Sequence, residues 1–148
     1  MERILVGVDG SQASLKAVDF ASDLANKYNA ELILLTVVPH FSPGVEPAFE
    51  EYARVEHIQE PATELALAAA KTVLDGARRA AQAKGASRVA AEPSFGDPAQ
   101  EIIAEAGDRQ ADLIVVGSRG HGRLAGLLLG SVAHKVISLA PCPTVVVR

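Results

Sequence analysis

Five short apolar runs, separated by segments of helical periodicity, constrain this chain more than anything else in it. They occupy residues 3–8, 31–38, 88–93, 112–117 and 144–147. The first, second, fourth and fifth are almost continuously apolar rather than alternating. Strands of that kind have to be covered on both faces, as in a parallel sheet flanked by helices. Between them, Ala17, Phe20, Ala21, Leu24, Ala25 and Tyr28 form one helical stripe, with Ser11 placed as its N-cap. Ala66, Ala69, Ala70, Val73, Leu74 and Ala77 repeat the pattern. Asp97-Pro98 opens a third helix, with Pro98 suited to its first position and Gln100 placed for a capping box. Ala133, Val136, Ile137 and Ala140 mark a fourth, which Pro141 and Pro143 end.

This alternation predicts a single doubly wound, Rossmann-like α/β domain spanning residues 1–148. Right-handed crossovers put helices on both faces only if the strand order reverses. The order 3-2-1-4-5 sets the first and fourth strands side by side at the reversal. The ligand crevice then lies at their carboxyl ends. Two features of the sequence converge there. One is Asp9-Gly10-Ser11. The other is Gly117-Ser118-Arg119-Gly120, followed after nine residues by Gly130-Ser131.

The second feature reads as strand, glycine loop, helix start. The first helical N–H groups lack intrahelical acceptors, and the helix dipole favours an anion beside them, so such a loop can hold phosphate. Gly117 would let a ligand approach the backbone, Gly120 is expected at positive φ, and Ser131 adds a hydroxyl donor. The alternative is a set of turn glycines and an N-capping serine. No Gly-Lys-Ser/Thr follows, so this is not a Walker A loop, and the Gly-x-Gly-x-x-Gly of hydride-transfer enzymes is absent. Asp9 beside a phosphate needs a reason: a bridging divalent metal, a ribose hydroxyl, or capping of the first helix. Arg119 can pair with phosphate or lie solvated, and His121 and Arg123 share that ambiguity. The four histidines show no metal-ligand spacing with one another or with Cys142, and no metal-binding residues are assigned. Cys142, between two prolines, reads as structural rather than nucleophilic.

The net charge of −4 argues against a nucleic-acid binder. A single cysteine excludes an internal disulfide and suits the cytoplasm. The apolar run at the N-terminus is too short for a signal peptide, and no stretch approaches the roughly 20 residues of a membrane span. Residues 39–60, with four prolines counting the one that follows them at 61, are long for a connection. They read as a solvated excursion, or as a lid or partner surface using Phe41, Phe49 and Tyr52.

The pattern Gly-x2-Gly-x9-Gly-Ser, at Gly117, Gly120, Gly130 and Ser131, resembles the nucleotide signature of the ATP-binding branch of the universal stress proteins. The likeness extends over the chain, from Ile4-Leu5-Val6-Gly7-Val8-Asp9-Gly10-Ser11 to Cys142-Pro143-Thr144-Val145-Val146-Val147. It implies ATP in the crevice, with Mg²⁺. The Val37 backbone would meet adenine, Gly7 and Asp9 would lie near the nucleoside, and Val116 and Gly117 would border the ribose. Gly120, Gly130, Ser131 and Val132 would hold the phosphates, with Arg119 beside them. It also implies a homodimer through the edge strand from Thr144 to Arg148, since unpaired edges are liabilities unless covered.

Two functional classes follow. In the first, nucleotide occupancy sets the conformation or partner choice of a stress-response dimer. In the second, the chain is a slow ATP hydrolase or transfer enzyme. Hydrolysis needs an oriented water and stabilised γ-phosphate charge, and no water-positioning residue stands out. A nucleotide-free scaffold is a third reading.

Overall fold

Each of the five apolar runs forms a strand of one parallel sheet. The computed structural model describes residues 1–40, 61–121 and 129–148. The order is β1 (Arg3–Gly7), α1 (Gln12–Tyr28), β2 (Glu31–Val38), α2 (Pro61–Ala83), β3 (Val89–Phe95), α3 (Pro98–Asp108), β4 (Leu113–Gly117), α4 (Ser131–Leu139) and β5 (Thr144–Val147). The strands lie in the expected order, β3-β2-β1-β4-β5. Val6 of β1 is in register with Leu34 of β2 on one side and with Val115 of β4 on the other.

Alternate residues of the strands face two separate cores. Ile4, Val6, Leu32, Leu34, Leu113 and Val115 pack with α1 and α2. Leu5, Ile33, Leu35, Ile114 and Val116 pack with α3 and α4. This double coverage is why the runs read as continuous rather than alternating. Each fully buried aliphatic side chain contributes about 1.5–3 kcal/mol of apolar burial.

β3 runs two residues further than the sequence suggests, through Pro93 to Phe95. β2 is its one neighbour. Leu32 N–H donates to Arg88 O (2.8 Å) and Gly96 N–H to Val38 O (3.0 Å). The alternation between these bonds sends even-numbered β3 residues toward β2 and turns Pro93 outward. Its missing N–H therefore costs no ladder bond. β1 ends one residue early because the Val8 carbonyl accepts from Thr36 Oγ1 (2.7 Å).

The helix starts follow their caps. Ser11 Oγ accepts from Ser14 N–H (3.2 Å), and Asp97 Oδ1 accepts from Gln100 N–H (3.1 Å), with Pro98 in the first helical turn. The Gln100 bond is the largest influence holding the Asp97 carboxyl below its ordinary pKa, with Lys135 adding to it. The stripe on α1 is rotated from expectation. Phe20 and Tyr28 are exposed, while Ser14, Val18 and Ser22 join Ala17, Ala21 and Ala25 in the buried face. Small residues on that face bring the helix close to the sheet. Ala69 of α2 and Ile137 of α4, also assigned to buried stripes, are likewise exposed.

Candidate functional site

The order reversal between β1 and β4 opens a cavity of about 370 Å³ at their carboxyl ends, within the usual range for small-ligand sites. β1 and the turn after it contribute Gly7 and Asp9, and β2 contributes Leu35 and Val37. β4 and the loop after it contribute Val116, Gly117, Arg119, Gly120 and His121. Gly130, Ser131 and Val132 come from the start of α4. The ten positions expected to meet the nucleotide all line this one cavity. Ser14, Ser118, Pro98 and Ile102 also line it and escaped sequence reasoning. Pro98 read only as a helix start and Ile102 was not singled out; their place at the cavity comes from how α3 packs.

The cavity is lined by two chemically different kinds of group. Leu35, Val37, Ile102 and Val116 make an apolar wall suited to a flat ring. The first turn of α4 lines the same cavity. Its N-cap residue, Gly130, offers no side chain to the helix N-terminus, unlike Ser11 for α1 and Asp97 for α3. The first i→i−4 bond runs from His134 N–H to Gly130 O (3.0 Å). The N–H groups of Ser131 to Ala133 precede it and stand at the cavity wall, where an anion is favoured. Ser118 holds this helix start in place. Its N–H donates to Val147 O (2.7 Å) and its carbonyl accepts from Gly130 N–H (2.7 Å).

The glycines act differently from expectation. Gly120 does not adopt positive φ; Gly10 does, at 80°. A Cβ at Gly120 would lie 2.6 Å from Asp9 Oδ2, so a larger residue there would have to displace the Asp9 carboxylate. Gly117 does not open the backbone to a ligand on its Cβ side. A Cβ there would meet Ala13 C at 2.7 Å and Ser14 N at 2.8 Å, so the bare position admits the N-terminus of α1. A Cβ at Gly130 would meet only ordinary contacts, the nearest being Ser118 O at 3.4 Å.

Asp9 is not the cap of α1, because Ser11 fills that role. Instead Asp9 Oδ1 accepts from Ser11 N–H (2.9 Å), leaving Oδ2 beside Gly120. His121 Nε2 lies 2.7 Å from Asp9 O, and Ser11 Oγ donates to Arg119 O (3.3 Å). Among the described residues, no group of three or more His, Cys, Asp or Glu side chains is arranged to hold a metal ion. Arg123 and the aromatic residues Phe41, Phe49 and Tyr52 lie outside the described residues. Burial, then the charge of Asp112, pushes the Cys142 thiol up from its ordinary pKa, in line with a structural role. No helix among the described residues is long and apolar enough to cross a membrane.

A Rossmann-like domain with its cavity at the order reversal defines a class of α/β ligand-binding proteins. The sequence model of the Universal stress protein family matches residues 1–148, and the chain belongs to that family. It is 39% identical to universal stress protein YxiE of Bacillus subtilis, covering 99% of this chain and 98% of that one. Among solved structures, universal stress protein UspA from Lactobacillus plantarum superimposes with a TM-score of 0.82 at 28% identity, covering 99% of this chain and 97% of that one. A universal stress protein solved in complex with cAMP gives a TM-score of 0.70 at 31% identity, covering 99% and 96%.

Proposed function

We propose that this chain is an ATP-binding regulatory protein of the cytoplasmic stress response, in which occupancy of the crevice alters conformation or partner binding. One observation carries the reading: a helix N-terminus without a side-chain cap and a set of apolar strand and helix side chains line one cavity of nucleotide scale. The relative solved with cAMP supports an adenine nucleotide as the occupant. In this reading the ring lies against Val37, Ile102 and Val116, the ribose passes Gly7, Asp9 and Gly117, and the phosphates meet Gly120, Gly130, Ser131 and Val132, with Arg119 at the rim.

The ladder offers a reason for preferring adenine. Odd-numbered residues of β2 face β1, as in the Val8 N–H bond to Leu35 O (2.8 Å). The same alternation turns the Val37 carbonyl past the end of β1. A carbonyl there accepts from the exocyclic amino group of adenine and repels the carbonyl oxygen of guanine. The residues also fit Mg²⁺, with the Asp9 carboxylate and the Ser131 hydroxyl as oxygen donors of the kind the ion prefers. When bound, the ion would offset repulsion between Asp9 and phosphate. The half-buried strand β5, bonded among the described residues to β4 alone, supports a homodimer through the segment from Thr144 to Arg148.

Calorimetric titration of nucleotide-stripped protein with Mg-ATP, and in parallel with Mg-GTP, tests the reading. Saturable binding near one ATP per chain, at least several-fold tighter than GTP, is expected. No heat and no thermal stabilisation at millimolar ATP would overturn it.

A further inference from the structure

We propose that His121 is a positioning residue of the nucleotide site, clamping the glycine loop to the Asp9 carbonyl so that the Asp9 carboxylate and the phosphate loop are held in one arrangement. The inference rests on the crevice being a nucleotide site and adds a residue outside the glycine signature.

Three contacts among the described residues join the loops after β1 and β4. The Nε2 of His121 lies 2.7 Å from Asp9 O. A carbonyl oxygen only accepts, so Nε2 carries the proton and donates. The hydroxyl of Ser11 donates to Arg119 O at 3.3 Å. Gly120 lies so close to Asp9 Oδ2 that a Cβ there would displace the carboxylate. Asp9 is therefore contacted by the glycine loop at both its carbonyl and its carboxylate. Gly10 adapts the turn to this contact. Its φ of 80° orients the Asp9–Gly10 peptide, and its missing Cβ would stand 4.0 Å from His121 Nε2. His121 thus lies beside that peptide and is among the residues lining the cavity. Of the three contacts it is the shortest hydrogen bond, and it joins the loop that would hold phosphate to the carboxylate that would face it.

Long-range nitrogen–proton NMR on the imidazole side chains tests the clamp without any ligand. At a pH where the ring is neutral, His121 should be the Nε2–H tautomer; an Nδ1–H tautomer would overturn the contact. Calorimetry with Mg-ATP then tests its consequence. His121→Leu, which fills the space without a donor, should weaken binding about five- to tenfold, the scale of one lost hydrogen bond. His121→Gln, whose amide N–H reaches about as far, should restore most of it. Equal affinities for wild type and both variants would overturn the proposal, as would equal losses in both. If wild type itself binds no nucleotide, the functional reading falls and the positioning role with it, while the tautomer still decides whether the clamp exists.

Discussion

On one face of the sheet α1 and α2, 17 and 23 residues long, close over Ile4, Val6, Leu32, Leu34 and Val115. On the other face α3 and α4, 11 and 9 residues long, cover Leu5, Ile33 and Ile114 but leave Val37 and Val116 at a cavity. The same kind of apolar strand supplies both faces. The difference lies in the length and starting points of the helices above them. The closed face holds stability; the open face exchanges some packing for a place where a ligand can lie on apolar side chains beside an open helix end.

The largest effect that would sharpen this contrast is on the closed face. Leu34→Ala, at a fully buried position, should destabilise the protein by about 3 kcal/mol, through lost burial and a cavity. Urea unfolding measures it, and nucleotide affinity in the folded variant should stay within about twofold. Loss of binding in a folded Leu34→Ala protein would break the separation between the faces.

Gly130→Val tests the open face in the opposite sense. Its backbone, at φ −72°, accepts an L side chain, and a Cβ meets only ordinary contacts. The fold should survive with little change in melting temperature, while the branches intrude between α4 and the glycine loop. Affinity for Mg-ATP should fall at least tenfold, about 1.4 kcal/mol or more. Unchanged affinity in the folded variant would remove the helix start from the site.

The smallest effect concerns α3, whose first turn walls the cavity. Asp97→Ala removes the cap and should cost about 1 kcal/mol at neutral pH. The Asp97 carboxyl is held below the ordinary 3.8. Its contribution is therefore complete above that value and is lost as the pH falls through the folded pKa. The stability gap between wild type and Asp97→Ala should be constant from pH 7 to about 5 and narrow below 3.8. A gap that widened in acid would reverse the assigned role.

Much of this was legible because it is local. Continuous apolar runs announced strands buried on both faces, and Ser11 and Asp97-Pro98 announced helix starts. The glycines with their flanking strand and helix announced a loop that could face an anion. The errors fell where a neighbour distant in sequence decides. Phe20 and Tyr28 fit the period of α1 yet lie outside, because the helix turned its smallest residues to the sheet. Gly120 looked like a backbone-freedom glycine, yet its φ is not positive and its bare Cα lies against the carboxylate of Asp9, 111 positions earlier. Gly117 was taken for a ligand-side glycine, and its bare Cα faces Ala13 and Ser14 of α1.

By itself the sequence determined the elements, their class of sheet and the two loops at the order reversal, since periodicity, capping and the handedness of crossovers act through the chain's own covalent geometry. Only the tertiary structure decided which side of each glycine is filled, that Pro98 and Ile102 wall the cavity, and that His121 reaches the Asp9 carbonyl. Those are outcomes of packing between segments distant in the chain, where a few tenths of an ångström separate a contact from a collision.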